Sequence, residues 1–147
     1  MKSAKSLLGM PVIRSGEKLG RVALILPDDD LRALCGVYIS CGMAGTRFIS
    51  RAQLDMIGEV SILVHDAGKR LSPAARPLFR RALSADGRRI GAITDALIDE
   101  ETLCIEALEL SCGYIDDLLH GRTRIRQFMV QKNGDVIVAE REGGNLA

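Results

Sequence analysis

Residues 7–42 are written a second time, 71 positions later, as residues 78–113. Sliding one copy onto the other without a gap superposes Leu7 on Leu78, Gly16 on Gly87, Gly20 on Gly91, Leu26 on Leu97, Asp28 on Asp99, and Ser40-Cys41-Gly42 on Ser111-Cys112-Gly113. That makes eight identities in 36 positions, and many of the remaining pairs are of like kind, such as Val22 with Ile93 and Ile39 with Leu110. A duplication constrains a chain more than any single motif, because both copies must satisfy one plan. In 147 residues it leaves two units of roughly 70 residues, each near the lower limit for an independent core. Two such units are expected to lean on one another.

Within each copy the local pattern is that of short strands and turns. Residues 7–14 form an apolar run broken by Gly9 and Pro11, read as an irregular first strand, and residues 15–18 supply a turn with a glycine. Residues 19–26 and 33–41 read as strands, the latter with Cys35, Val37, Ile39 and Cys41 on one face by the two-residue period. Residues 47–51 read as an edge strand, 52–57 as a helical turn, and 60–64 as a closing strand. The stretch 66–77 holds Gly68, Pro73 and Pro77, which argues against a connecting helix. The second copy repeats the plan in 78–84, 89–98 and 103–112. After Gly113 the copies diverge: residues 114–122 read as a helical turn, followed by strands at 124–131 and 136–139 around the hairpin signal Asn133-Gly134. The late strand Ile62-Leu63-Val64 returns as Val136-Ile137-Val138 at an offset of 74, so the second copy holds three extra residues. The expected division is a first barrel at 1–65, a connector at 66–77, a second barrel at 78–142 and a disordered tail at 143–147, with disorder also expected at 1–5.

Composition narrows the class. With 47% apolar, 27% charged and 3% aromatic residues, a globular chain with an aliphatic core is expected. The net charge of +1 supplies no global drive toward nucleic acid or anionic lipid. The longest uncharged run, 33–46, falls short of the ~18 residues that span a bilayer, and the first residues lack the apolar stretch of a signal peptide. Cytoplasmic location, no membrane insertion and reduced thiols are therefore the expectations for Cys35, Cys41, Cys104 and Cys112.

The run Leu-Leu-Gly-Met-Pro-Val, a polar turn, Leu-Gly-Arg-Val, an acidic turn and a late Asn-Gly-Asp before a β-branched run resembles the PRC-barrel domain. The second copy, Gly87 through Asp99, resembles it more closely, because it keeps Asp95 where the first copy has Leu24. The resemblance covers nearly the whole chain and implies an all-β fold: two small antiparallel PRC-type β-barrels in tandem, with a short helical turn in the second. The family is that of the cytoplasmic domain of the photosynthetic reaction-centre H subunit and of a barrel in a ribosome maturation factor. It implies a binding module with no family-wide catalytic residues. The tandem form, with its Ile-Asp-Asp-Leu-Leu-x-Gly-Arg stretch, looks like small uncharacterised bacterial proteins.

The chemistry-bearing residues support the same expectation of a protein that is not an enzyme. The cysteine spacings leave five and seven residues between pairs, unlike structural zinc sites, so the thiols are read as small core side chains. The turns Asp28-Asp29-Asp30 and Asp99-Glu100-Glu101 lack the alternation of a calcium loop. His65 and His120 have no nucleophile at matching places in both copies. No metal, cofactor or catalytic residue is therefore expected. Charge is segregated instead: residues 69–89 carry seven basic residues against Asp86, a balance of +6, while residues 92–120 carry eight acids and no Lys or Arg. The functional expectation is a cytoplasmic adaptor that docks a protein partner or a second copy of itself. Arg76, Arg80 and Arg81 are its basic contacts, and Ile115, Leu118, Leu119 and Arg122 lie in the insertion where the copies differ. The rival readings are an RNA- or ribosome-associated factor using the basic stretch and a small-ligand or metal-binding protein.

Overall fold

A computed structural model describes residues 1–73, 77–113, 121 and 123–139. The chain is all-β, with two curled sheets that each wrap into a half-barrel. The first sheet contains β2 (Pro11–Arg14), β3 (Glu17–Pro27), β4 (Leu34–Ser40), β5 (Thr46–Ser50), β6 (Leu54–Ile57), β7 (Ile62–Val64) and β8 (Lys69–Arg70), in the order β6-β7-β2-β3-β4-β5-β8. The second contains β9 (Arg80–Leu83), β10 (Arg89–Ile98), β11 (Ile105–Ser111), β12 (Thr123–Ile125), β13 (Phe128–Val130) and β14 (Val136–Val138), in the order β12-β11-β10-β9-β14-β13. Neighbours are antiparallel except for one ladder in each copy, β2 with β7 and β9 with β14, where the first strand meets the last in parallel.

The curl has a definite cause. Three β-bulges recur at matched places, at Leu19, Ala23 and Cys35 in the first copy and at Ile90, Thr94 and Glu106 in the second, and the first copy has a further one at Asp55. All three pairs lie 71 positions apart. A bulge bends its strand and adds right-handed twist, so three of them at matched places roll both sheets the same way. The identical glycines fit this geometry: a Cβ on Gly20 would collide with the Ser40 carbonyl oxygen, and one on Gly91 with that of Ser111.

The bulge at Cys35 overturns the simple alternation expected for β4. It places Leu34, Val37 and Ile39 in the core together and turns Cys35 outward, exposed to solvent. The reading of Cys35 as a core side chain therefore fails, whereas Cys41 and Cys112 do pack, half-buried, against the core. In the first strand the gapless superposition also slips. The ladders match Val12 with Ala82, both fully buried and each paired with the last strand, at an offset of 70 rather than 71. The stretch from Ala82 to its ladder partner Gly91 is one residue longer than that from Val12 to Gly20 and absorbs the difference. The helical turn expected at 52–57 shrinks to a 3-10 turn, Arg51–Gln53, followed directly by β6.

The N-terminus is ordered, contrary to expectation. β1 (Lys2–Ser3) pairs with Ile98 and Leu97 of β10, and the four-residue helix α1 (Ala4–Leu7) follows, with Ala4 and Leu7 buried. The terminal ammonium lies 2.9 Å from Glu100. The segment that begins the first copy is thus stitched to the second sheet. Lys69 and Arg70, in the stretch expected to link the barrels, instead pair with β5 and extend the first sheet.

The two sheets meet through a symmetric joint. Leu34 N–H donates to Leu103 O and Ile105 N–H donates to Arg32 O, both at 2.8 Å, around the bridge between Ala33 and Cys104. Exchanging equivalent positions, 34 for 105 and 103 for 32, turns one bond into the other, the mark of a local two-fold contact. Buried residues from both copies form one continuous cluster, including Leu7, Leu34, Ile39, Ile93, Leu108 and Leu110.

Candidate functional site

Arg80 and Arg81 lie on β9, beside the β13–β14 hairpin. Arg80 Nε donates to Pro77 O at 2.7 Å and its Nη1 to Gly134 O at 3.4 Å. Arg81 forms a two-point contact with Asp135, at 3.1 and 2.7 Å. Asn133 adds an amide donor to the same carboxylate at 3.1 Å. Asp135 is 7% exposed, and the Arg81 hydrogen bonds hold its carboxyl below the usual carboxylate range. Both arginines therefore tie the hairpin to β9, a structural task that the sequence did not disclose.

The structure divides the basic stretch. Lys69 and Arg70 lie at the edge of the first sheet, where Arg70 donates to Ala44 O. Arg80, Arg81 and Arg89 lie on the second. The acidic run divides too: Asp95 is buried, Glu106 is exposed at a bulge, and Asp99 orders its turn by accepting from the N–H groups of Glu101 and Thr102. Asp28 performs the matching task for Arg32 N–H, which explains why the aspartate is common to both copies. Arg76, Ile115, Leu118, Leu119 and Arg122, along with His120 and the rest of the helical turn read at 114–122 except Gly121, lie outside the described residues.

Phe79, the only aromatic in the basic stretch 69–89, is a residue that the sequence reading did not choose as a contact. It is 64% exposed and lines two adjoining recesses. One, of about 460 Å³, is walled by Pro77, Arg80, Arg81, Lys132 and the Asn133–Asp135 turn. The other, of about 470 Å³, is an apolar groove between the two sheets, formed by α1, β3 and β10 together with Leu78 and Phe79. Leu8, 47% exposed, stands on the rim of the groove. An exposed aromatic set between a basic recess and an apolar groove offers both steric and electrostatic purchase to a partner.

The thiols do not converge. Among the described residues no three His, Cys, Asp or Glu side chains gather as a metal set, and none of the four cysteines is in a disulfide. Burial raises the Cys35 thiol above its ordinary value, and Asp28 and Asp29 add to the effect while Arg51 opposes it. That environment disfavours the thiolate, the form a nucleophile requires. His65 meets Asp55 at 2.6 Å on the surface, with no thiol or hydroxyl recorded in the pair. Among the described residues no helix is long and apolar enough to cross a membrane. No family model matches the chain, and no curated protein matches it.

Proposed function

We propose that this chain is a non-enzymatic, cytoplasmic adaptor of the PRC-barrel kind, and that it docks a protein partner at the corner formed by residues 77–81 and the β13–β14 hairpin. The observation that carries this reading is the exposure of Phe79 between cationic and apolar walls. Large aromatics in such settings act as anchors, and a ring of charge selects partners of opposite sign. The partner surface it fits is acidic with an apolar centre. The resemblance of both copies to PRC barrels and their build as paired half-barrels agree with a binding role. Arg80 and Arg81 keep their place as contacts through their exposed edges, while their internal bonds hold the corner rigid.

The experiment is affinity capture from the native cell with wild type, Phe79→Ala and Lys132→Glu. Proteins retained by wild type and lost with both variants support the reading. Identical recovery with all three rules this corner out as the docking surface. Charge reversal at Arg81 is the poorer test, since it strands Asp135 and disturbs the hairpin. If nucleic acid is recovered instead, with affinity falling steeply as salt rises, the RNA reading replaces this one.

A further inference from the structure

The apolar groove between the sheets holds one charged group that the fold leaves half satisfied. Asp95 is 5% exposed. Its Oδ1 accepts from Lys5 N–H at 3.1 Å and from its own neighbour, Ala96 N–H, at 2.8 Å. No described residue donates to Oδ2, and no cation lies within ion-pair distance of the carboxylate. Across the ladder its partner is Glu109, another acid. The surrounding groove wall is mostly apolar: Leu8, Leu24, Ile25, Leu78 and Phe79, with Ala4 and Ala23 between them, and Thr94, whose hydroxyl donates to Glu109 O, beside the carboxylate. In the first copy the equivalent position is Leu24, so the carboxylate is a feature that one copy has and the other lacks.

A carboxylate withdrawn from water with one oxygen unpaired is costly, and the cost is relieved by a ligand bringing a charged donor. The groove's volume of about 470 Å³ falls within the range of small-molecule sites, which are mostly apolar with a few placed polar groups. We propose that this groove binds a small organic ammonium ion, an aliphatic or aromatic body carrying one protonated amine, with Asp95 Oδ2 accepting from the ammonium and Leu24, Leu78 and Phe79 covering the body. Lys5 also lines the groove. Its ammonium makes no ion pair with a described carboxylate, and a bound ligand displaces it outward along its flexible stem. This site concerns a small ligand and does not depend on the protein-docking reading.

The test is titration of the full chain with hexylammonium chloride, followed by amide chemical shifts, with hexanol as an uncharged control of the same apolar length. Saturable shifts clustered at residues 4–8, 23–25, 78–79 and 94–96 are expected, and hexanol should bind about tenfold more weakly, the equivalent of one charge-assisted hydrogen bond. Asp95→Asn keeps the Oδ1 acceptor for Lys5 and Ala96 while removing the charge, and should bring hexylammonium affinity down to the hexanol level. Equal binding of the two probes to wild type overturns the proposal, as does undiminished hexylammonium binding to a folded Asp95→Asn variant or the absence of saturable shifts. The comparison of the two probes on wild type decides the matter even if the variant does not fold.

Discussion

The two barrels are alike where the backbone bends and unlike where side chains face each other. In the first, Leu24 stands opposite Tyr38, and Tyr38 opposite Phe48, with the two rings 5.0 Å apart. In the second the same three places hold Asp95, Glu109 and Arg124. One cross-strand row is aliphatic and aromatic and the other is charged, on ladders whose bulges coincide. The joint shows a similar break in symmetry. Arg32 reaches from the first copy to Phe128 O at 2.6 Å and lies over the Phe128 ring at 3.9 Å, whereas its counterpart, Leu103, has no side chain able to return such a contact. The duplication thus preserved the strain-bearing geometry and freed the side chains for asymmetric tasks. Asp95 and Arg32 both serve contacts between the copies.

The largest effect that bears on this comparison is expected from Leu7→Ala. Leu7 is fully buried, in a segment that begins the first copy yet is anchored on the second sheet, and its truncation should cost about 3 kcal/mol in urea unfolding. A loss below ~1 kcal/mol would show that the N-terminal segment is peripheral to the core. Next come Gly20→Ala and Gly91→Ala, each expected to lose about 2 kcal/mol because a Cβ meets a backbone carbonyl that cannot easily retreat. Equal losses would sharpen the equivalence of the barrels, and a tolerated substitution at either site would break it.

Arg32→Ala should cost about 1 kcal/mol by removing the stacked guanidinium and its carbonyl contacts. A loss below ~0.3 kcal/mol at Arg32 would mean that the clamp contributes nothing. For Asp135 the effect appears along the pH axis. Its carboxyl is held below the ordinary value of 3.8 by Arg81. Its contribution is therefore complete above that value and is lost as pH falls through the lower folded-state value. Asp135→Asn should flatten the acid side of the stability profile and leave the slope near neutrality unchanged; an unaltered acid limb would refute the assignment. The smallest effect is expected from Cys35→Ser, under ~0.5 kcal/mol, because the side chain sits on an outward bulge. Cys35 should also be alkylated before the half-buried Cys41, Cys104 and Cys112, though more slowly than a free thiol at the same pH. Faster labelling of Cys41 would contradict the bulge.

Much of the fold was readable from residue types alone. The repeated glycines at 20 and 91 marked equivalent places in the two copies, and the paired Asp28 and Asp99 marked equivalent turns. The bulges were not readable. Cys35 and Glu106 lie within runs whose apolar pattern continues past them, so a two-residue period predicts the wrong face until the ladder register is known. The candidate site was read from charge, and charge alone does not show which cations are already paired. Arg81 is basic in sequence but is answered by Asp135, 54 residues away, and the two recesses beside Phe79 form only when distant segments come together.

By itself the sequence determined that one small β-plan is built twice, since periodicity, turn glycines and the spacing of the copies are local properties that need no partner to be expressed. Only the tertiary structure decided how the copies join and what became of their differences. The two-fold joint at Ala33 and Cys104, the crossing of the N-terminus to β10 and the burial of Asp95 in the groove all depend on contacts between residues roughly 70 to 90 positions apart. Such contacts are selected by packing and hydrogen-bond satisfaction in the assembled core, and local propensity carries no trace of them.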